Sequence, residues 1–212
     1  MSLNNTDRRI RRTKQMIRDA LTELMEDVGF DAITVRDLTE KADINRGTFY
    51  LHYKDKFDLL EQCEREVLDE LAQVQGHVEG LQLENFYEHF NRGEPLPFIV
   101  KLFEYLKENG AFMRVILGPK GDPLFQVKLK EMLAEHLLKH MVKKARIEMA
   151  VPFDYFKAYV ISAHLGVIQE WLFRGMKESP KEIAMTAFKL TFLGPRRAAG
   201  LISDEQNEKN SP

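Results

Sequence analysis

Cysteine is almost absent from the sequence: Cys63 is the single one among 212 residues. One cysteine excludes an intramolecular disulfide framework and a cysteine-rich zinc module. Long apolar runs are also missing, and the stretch from residue 112 to 117 is interrupted by Arg114, far short of the ~18 residues of a membrane span. The N-terminus is polar and basic, with no apolar signal core behind it. These absences predict a soluble protein of the reducing cytoplasm without a membrane partner.

A dominant charge is missing as well, since 31 basic residues stand against 33 acidic ones and the net charge is −2. The overall field therefore does not attract polyanions, and any nucleic-acid site must come from local clustering. Residues 8–18 hold six basic side chains and no acid, whereas residues 19–62 hold five basic and eleven acidic ones. Such a cluster releases counterions when it meets a phosphate backbone, although taken alone it fits a solvated basic tail better.

Apolar residues recur at three- and four-residue spacing along almost the whole chain, and no convincing strand is present, so the sequence predicts an all-α fold of about nine helices. A small N-terminal domain (residues 1–60) is followed by a larger helical domain (61–195) and a polar tail (196–212), of which residues 203–212 are expected to be disordered. Helix starts are marked by capping residues, namely Thr34 with Asp37, Asn45, Asp55, Asp122 before Pro123, and Ser179 with Glu182. Gly110 is expected to end a helix. Cys63 lies on an apolar helical stripe, and this position favours a buried structural thiol.

Residues 34–53 have the make-up of a helix-turn-helix motif: a capped short helix, a turn at residues 43–45, and a second short helix. The second helix begins with Arg46, Gly47 and Thr48, at the part of a recognition helix that meets base edges in the major groove. Glycine at position 47 lowers helix stability by ~1 kcal/mol. A close approach of the backbone to DNA explains why glycine is placed there. Side chains of the types that hydrogen-bond phosphates follow: Tyr50, His52, Tyr53, Lys54 and Lys56.

From about Arg9 to Leu60 the chain resembles the DNA-binding domain of the TetR family of bacterial transcriptional regulators. The residues that carry the resemblance are Thr34, Leu38, Thr39, the run from Ala42 to Tyr50, His52, Tyr53, Asp55, Lys56, Leu59 and Leu60. The segment from Trp171 to Glu182 is similar to the C-terminal domain of one branch of that family found in Gram-positive bacteria.

The resemblance implies a homodimer that binds a near-palindromic double-stranded DNA operator and carries a helical ligand-binding C-terminal domain. Carried over position by position, it places Arg46, Gly47 and Thr48 at bases. It places Thr34, Tyr50, His52 and Lys56 at phosphates, while Phe49 and Tyr53 pack inside. Three positions depart from the family pattern: Asp43 replaces the usual turn glycine, Thr39 replaces a small alanine, and Leu51 replaces an aromatic anchor.

The larger domain holds 16 of the 21 aromatic residues after position 76. This concentration predicts an apolar pocket for an unknown small apolar or aromatic effector, with Phe103, Phe125, Tyr159, His136 and His164 as candidate lining residues. The alternative is that these side chains fill the core or a dimer interface. The apolar spread of residues 153–175 and of the last helix predicts a four-helix dimer interface, with candidate residues Ala163, Val167, Trp171, Ala184, Ala187 and Phe188.

His136 and His140 have the spacing of a metal pair but lack a third ligand nearby in sequence, so no metal and no cofactor is predicted. No phosphate-binding loop, nucleophile elbow, zinc-protease motif or dinucleotide fingerprint occurs, which favours a protein that is not an enzyme. The sequence therefore predicts a cytoplasmic DNA-binding repressor that an effector releases from its operator. Two alternatives stay open: a helical small-molecule binding or catalytic protein with a vestigial DNA-binding domain, and an effector-independent architectural DNA-binding protein.

Overall fold

The computed structural model describes residues 3–75, 83–145 and 150–201. Within these ranges the chain forms ten α-helices, one 3-10 turn and no strand, which confirms the all-α prediction. The elements are α1 (Leu3–Val28), the 3-10 turn (Phe30–Ala32), α2 (Val35–Lys41), α3 (Arg46–Tyr50), α4 (Lys56–Gln75), α5 (Leu83–Arg92), α6 (Pro97–Glu108), α7 (Gly110–Ile116), α8 (Pro123–Ala145), α9 (Phe153–Phe173) and α10 (Pro180–Ala198).

The position of Gly110 differs from the prediction. This residue does not end a helix but opens α7, and only Asn109 separates it from the end of α6. Asn109 leaves helical geometry (φ −101°, ψ 17°) and Gly110 is buried. The break between the two helices therefore lies at the asparagine, one residue earlier than the glycine signal indicated.

The helices group into two compact units. The N-terminal unit consists of the chain up to Leu71 together with Asn109–Leu129, and the second unit consists of Ala72–Glu108 and the chain from Lys130 onward. The predicted division at residues 60 and 61 did not place the segment 109–129 with the first helices. The N-terminal unit is thus discontinuous in sequence.

Short-range caps set the helix starts in the N-terminal unit. At α2, the Asp37 amide donates to Thr34 Oγ1 while the Thr34 amide donates to the Asp37 carboxylate, which is the predicted capping box. At α3, Asn45 Oδ1 accepts from the Thr48 amide at 2.8 Å. At α4, Asp55 Oδ1 accepts from the amides of residues 57 and 58, both at 2.9 Å. Because each cap involves residues at most three apart, the sequence alone could locate them.

The turn between α2 and α3 depends on Asp43, whose φ of 52° lies in the left-handed region. Aspartate adopts this region more readily than most residues, which explains how the turn forms without glycine. Thr39 is buried between the two helices, and its hydroxyl donates to the Arg36 carbonyl at 3.0 Å. Leu38 and Phe49 are fully buried beneath the turn, so the two helices share one core.

Segment 109–129 is fastened to α1 by polar contacts over long sequence separations. Arg114 pairs with Glu26 at 3.0 Å, and the Arg18 guanidinium donates to Asn109 Oδ1 at 3.2 Å. Lys120 Nζ donates to the carbonyl oxygens of Glu26 and Asp27 at 2.9 and 3.2 Å. A lysine at this position satisfies carbonyls that the last turn of α1 leaves without an intrahelical partner.

The second unit has an aromatic core. Phe90, Phe188 and Phe192 pack together with ring centroids 4.7–6.1 Å apart, and the rings of Phe90 and Phe192 are stacked. Trp171 is 2% exposed, lies edge-on to Phe103 at 5.3 Å and donates its indole N–H to the Glu178 carbonyl.

The predicted capping box of Ser179 and Glu182 opens α10. The backbone leaves helical geometry at Gly194 (φ 66°, ψ 169°) before the helix resumes to residue 198. The disorder predicted for residues 203–212 concerns a segment outside the described residues.

Glu64 on α4 is a buried carboxylate in the N-terminal unit. Its side chain is 4% exposed, its Oε2 lies 3.9 Å from Lys128 Nζ, and its Oε1 has no hydrogen-bond partner in the part of the chain that the structure describes. Burial is the largest cause that raises the pKa of Glu64 to about 7, and the nearby Asp122 carboxylate contributes in the same direction. By contrast, Cys63 behaves as the sequence indicated, because burial raises the pKa of its thiol to about 12.

Glu64→Gln is expected to make the protein more stable than the parent at pH 8 but not at pH 4. The folded state holds the Glu64 proton more tightly than the unfolded state, whose ordinary pKa is 4.5, so the parent loses stability as the pH rises from about 4.5 through 7. The difference amounts to at most about 3 kcal/mol in the free energy of unfolding. Urea unfolding at pH 4, 6 and 8 measures it, with Glu70→Gln, an exposed acid farther along the same helix, as the control. Parallel pH profiles for parent and Glu64→Gln would contradict it.

Candidate nucleic-acid interface

The first turn of α3 presents its side chains to solvent in a fixed backbone frame. Asn45 Oδ1 accepts both the amide and the hydroxyl of Thr48, at 2.8 and 3.1 Å. The Thr48 hydroxyl proton is therefore committed, and this side chain can meet a base only as an acceptor or through its methyl group. The exposed Arg46 makes no hydrogen bond or ion pair with any described residue, so all five of its N–H donors are available.

Gly47 lies on the same exposed turn. A Cβ atom at this position would come within 3.1 Å of Asn45 Oδ1, the atom that caps α3. Glycine therefore leaves the cap undisturbed and keeps the outer surface of the helix open at its first turn. This placement agrees with the predicted close approach of the backbone to DNA.

The segment after α3 carries three exposed or half-exposed side chains. Tyr50 is 57% exposed and Leu51 is 81% exposed, while His52 is half-buried with its ring 6.2 Å from Tyr53. Neither the Tyr50 hydroxyl nor the His52 imidazole has a hydrogen-bond partner among the described residues. Both can therefore donate to an external acceptor, whereas Leu51 has no donor to offer.

Phe49 and Tyr53 form the support beneath α3, as predicted. They are 0% and 4% exposed, and their rings lie 5.6 Å apart. Burial raises the pKa of Tyr53 above its ordinary value. Lys14 Nζ of α1 lies 5.8 Å from the centre of the Tyr53 ring, so the support also connects α3 to the first helix.

Thr34 is exposed, but its donors are already used. Both its amide and its hydroxyl donate to Asp37 Oδ2, at 2.9 and 2.7 Å. These bonds hold the pKa of Asp37 below its usual value, so the carboxylate is ionised at neutral pH. A phosphate at Thr34 would face this negative charge, and the phosphate contact stays a prediction that requires the capping box to open.

Lys56 likewise has partners inside the N-terminal unit. Its Nζ donates to the carbonyl oxygens of Phe30 and Asp31 at 3.1 and 2.8 Å, and lies 4.9 Å from the Phe30 ring. Only one of its three N–H bonds remains for a phosphate. The nearby helix amides of α4 donate to Asp55, which leaves less room for an anion at this helix end than the sequence suggested.

Lys56→Ala is expected to lower the free energy of unfolding by about 1.5–3 kcal/mol, because two hydrogen bonds from a charged donor are lost and the Asp31 carbonyl loses its donor, while the Phe30 carbonyl keeps the Ile33 amide. Thermal or urea unfolding measures the change, and Lys54→Ala, an exposed lysine two residues away, is the matched control. If Lys56 acts only through phosphates, the variant will unfold like the parent and its salt slope of DNA binding will fall by roughly one per half-site.

The basic cluster of residues 8–18 lies on α1, because this helix already begins at Leu3. Half of its charges have partners within the unit: Arg11 pairs with Asp7, Lys14 with Glu66, and Arg18 lies over the Phe112 ring at 4.5 Å. The other three, Arg8, Arg9 and Arg12, are exposed and have no acidic partner in the described ranges. The three arginines without an acidic partner thus lie within five consecutive residues near the start of α1.

The predicted effector residues lie in both units of the chain. Phe103 is buried against Trp171 in the second unit, whereas Phe125 is fully buried in the N-terminal unit. Tyr159 and His164 do line a common groove. The side chain of His136, like that of His140, lies outside the described residues. A role of Phe103 and Phe125 in an effector pocket stays a prediction, because aromatic content does not distinguish a cavity wall from a filled core.

The predicted dimer residues also separate into two groups. Trp171, Ala184 and Phe188 are at most 2% exposed within a single chain and pack inside the monomer. Ala187 is 3% exposed but lines a groove between α9 and α10. Ala163 is exposed and Val167 is half-buried. Sequence periodicity could not decide between these faces, because α9 is apolar on more than one side.

Ala163 and Val167 line a groove of about 230 Å³ between α9 and α10, which we call the α9–α10 groove. Leu190 and Thr191 contribute its other wall; the sequence pattern places Thr191 on the interface face of the last helix but does not single out Leu190. His164 bridges the two helices, since its Nδ1 donates to the Val160 carbonyl at 2.7 Å and its Nε2 lies 2.9 Å from Thr191 Oγ1. Large apolar side chains are exposed along this face, with Tyr155 at 76%, Tyr159 at 55% and Leu190 at 40%.

In the described parts of the chain, no group of three or more His, Cys, Asp or Glu side chains is placed to hold a metal ion. None of the described helices is long and apolar enough to cross a membrane.

Comparison with known proteins addresses the same two regions. Residues 17–63 match the family model described as bacterial regulatory proteins of the tetR family, and residues 93–192 match a transcriptional regulator C-terminal region of the TetR type. A Bacillus subtilis (strain 168) protein, the uncharacterized HTH-type transcriptional regulator YxbF, is 33% identical over 82% of this chain and 43% of its own length. The chain thus spans less than half the length of this curated relative.

Solved structures share the fold. A TetR transcriptional regulator from Streptococcus agalactiae 2603V is 22% identical, with a TM-score of 0.60 over 89% of this chain and 98% of that one. The transcriptional regulator FadR from Bacillus subtilis, solved with stearoyl-CoA, is 17% identical, with a TM-score of 0.59 over 83% and 96%. Since two family models together match well over half of the sequence, from the helix-turn-helix to α10, the chain belongs to the TetR family of transcriptional regulators.

Proposed function

We propose that this protein is a sequence-specific DNA-binding transcriptional regulator that reads an operator with α3. The observation that carries the proposal is the first turn of that helix, where Arg46 has all its donors free above a backbone fixed by Asn45. A guanidinium in this position can bind the O6 and N7 atoms of guanine with two hydrogen bonds. Tyr50, His52 and the free arginines of α1 supply phosphate contacts that orient the helix in the groove.

A homodimer completes the proposed reader, because a near-palindromic operator needs two copies of α3 related by a two-fold axis. The α9–α10 groove is the face that supports dimer formation. Tyr155, Tyr159 and Leu190 are exposed there next to the small residues Ala163 and Gly166, and a contiguous exposed apolar face indicates an interaction surface. The small exposed side of α9 at Ala163 and Gly166 allows two such faces to approach closely. The groove's volume of about 230 Å³ is small for a drug-sized ligand, which favours protein as its occupant.

We infer further that the protein is a repressor which a small molecule releases from DNA. The operator requires one separation of the two recognition helices, and an effector that binds a different separation lowers operator affinity. Two solved proteins of the same fold hold stearoyl-CoA and lauroyl-CoA, which supports control by a small molecule with a large apolar part. Coupling of about 1–3 kcal/mol, or ~5–150-fold in affinity, is typical of such control.

The proposal also assigns the protein to the cytoplasm, where the operator is, and gives it no catalytic role.

A vestigial DNA-binding domain is less well supported, because Arg46, Tyr50 and His52 keep free donors on one exposed surface. An architectural protein that ignores sequence would need the phosphate contacts but not the ordered first turn of α3.

Selection of bound duplexes from a random DNA pool by the full-length protein tests the proposed function. We expect enrichment of two inverted half-sites whose centres lie about one helical turn, or a multiple of it, apart. Retention of DNA without any enriched sequence would support the architectural alternative. Failure to retain any duplex at low salt would support the vestigial one.

A further inference from the structure

A groove of about 650 Å³ opens on the N-terminal unit, away from the first turn of α3. Its walls are the end of α1 with the 3-10 turn, the first turns of α4, and the loop that leads into α8. We call it the α4 groove. Its volume lies within the range of sites that bind small molecules.

The α4 groove has a polar side chain at its base that lacks a partner. Glu64 lines it, its side chain is 4% exposed, and its Oε1 accepts no hydrogen bond from any described residue. The nearest cation is Lys128, whose Nζ is 3.9 Å from Oε2 and whose side chain is half exposed. A buried carboxylate oxygen without a donor is unfavourable, so a ligand that brings an N–H to Oε1 replaces a missing interaction.

The rest of the lining defines the chemistry of such a ligand. Three more acids border the groove, Asp31, Glu61 and Asp122, against two lysines. Lys120 is held by the carbonyl oxygens of Glu26 and Asp27, so it does not neutralise the acids at the base. The net charge of the lining is therefore negative.

Apolar surface lies beside these acids. Phe57 is 62% exposed and Val28 is 57% exposed, and the Phe57 ring packs edge-on against Phe30 at 5.4 Å. Met25 and Leu60 continue the apolar wall. A ligand that covers these side chains removes apolar area from water and gains from it.

We propose that the α4 groove binds a small organic cation, a protonated amine or guanidine on an aromatic or alkyl body, whose N–H donates to Glu64 Oε1. The body lies against Phe57 and Val28. A metal ion fits less well, because no set of three ligating side chains is placed for one among the described residues. This site lies in the N-terminal unit and is separate from the α9–α10 groove, and the proposal does not depend on the proposed regulatory function.

Binding of naphthalene probes to the full-length protein, followed by their fluorescence anisotropy, tests the proposal. The probes are 1-naphthylmethylamine, the neutral 1-naphthalenemethanol and the anionic 1-naphthylacetate. The assay is run at pH 8, where Glu64 is mostly ionised because its pKa is about 7. We expect the amine to bind at least about 10-fold more tightly than the alcohol, since a hydrogen bond to a charged group contributes this much, and the acetate to bind most weakly. Equal binding of the three probes, or no binding of the amine at millimolar concentration, would overturn the proposal.

Variants of the groove separate the role of Glu64 from general electrostatics. Glu64→Gln should lower the affinity for the amine to that for the alcohol. Glu170→Gln, which removes an exposed acid from α9, should leave it unchanged. Lys128→Met should raise the affinity, because it removes the cation that competes for the carboxylate. Circular dichroism confirms that each variant is folded. An unchanged affinity in Glu64→Gln, or a weaker one in Lys128→Met, would place the cation elsewhere and overturn the assignment.

Discussion

Ala163→Arg is expected to convert the protein from a dimer into a monomer and to lower its affinity for the selected operator about 10²–10⁴-fold. The alanine is exposed on α9 and lines the α9–α10 groove, so an arginine there is accommodated by the monomer. In the proposed dimer, the same arginine would be buried against its symmetry mate, and unpaired like charges at an interface are strongly unfavourable. The loss of affinity follows because the second half-site no longer binds as part of one molecule.

Light scattering of the purified variant at micromolar concentration measures its assembly, and a gel-shift titration measures its affinity. Asn91→Arg adds the same charge to an exposed position of α5 and is expected to behave like the parent in both assays. If Ala163→Arg remains dimeric and binds the operator normally, the interface lies on another face. A monomeric parent would contradict the dimer itself.

Arg46→Ala is expected to reduce operator affinity by about 1–3 kcal/mol per half-site and to relax the choice of base at one position of each half-site. The reason is that the Arg46 guanidinium has no partner among the described residues, so its removal takes nothing from the fold and only a base contact from the complex. Binding to a scrambled duplex, which depends on phosphates, should change little.

Titrations against operator and scrambled duplex at several salt concentrations separate the two effects. Arg36→Ala is the matched control, since this exposed arginine of α2 is paired with Glu40 at 2.6 Å. The control should retain the preference for the operator. An equal loss of operator and scrambled affinity in Arg46→Ala would make this residue a phosphate contact rather than a base contact.

The features that the sequence predicted well are those that depend on neighbours in sequence. Thr34 with Asp37 and Ser179 with Glu182 form their capping boxes as expected, because both partners lie within one turn of helix. Asp43 adopts the left-handed conformation that its place in the turn required. The exposure of Arg46 and the burial of Phe49 also follow from their positions on one short amphipathic helix.

Features that depend on contacts between distant segments could not be read from the sequence. Trp171 and Phe188 lie in the core rather than at a dimer face, and periodicity does not indicate which apolar side of a helix meets its own chain. Lys56 and Lys120 bind carbonyl oxygens 25 and 93 or more residues away, and no local pattern marks a lysine for that task. Glu64 has the sequence environment of an ordinary helix residue, so neither its burial nor its unpartnered oxygen left a signal.

The attachment of segment 109–129 to α1 has a consequence for biosynthesis. Arg114 and Lys120 bind Glu26 and the end of α1 across about 90 residues, so the N-terminal unit cannot reach its final form on the ribosome until residue 129 has emerged. Until then, the helix-turn-helix segment has been synthesised, but α1 lacks its contacts with segment 109–129. The chain between α1 and this segment must first close a long loop. The nascent N-terminal unit is therefore completed only after residues 72–108 of the second unit have been synthesised, so its maturation depends on the chain being made well beyond the motif itself.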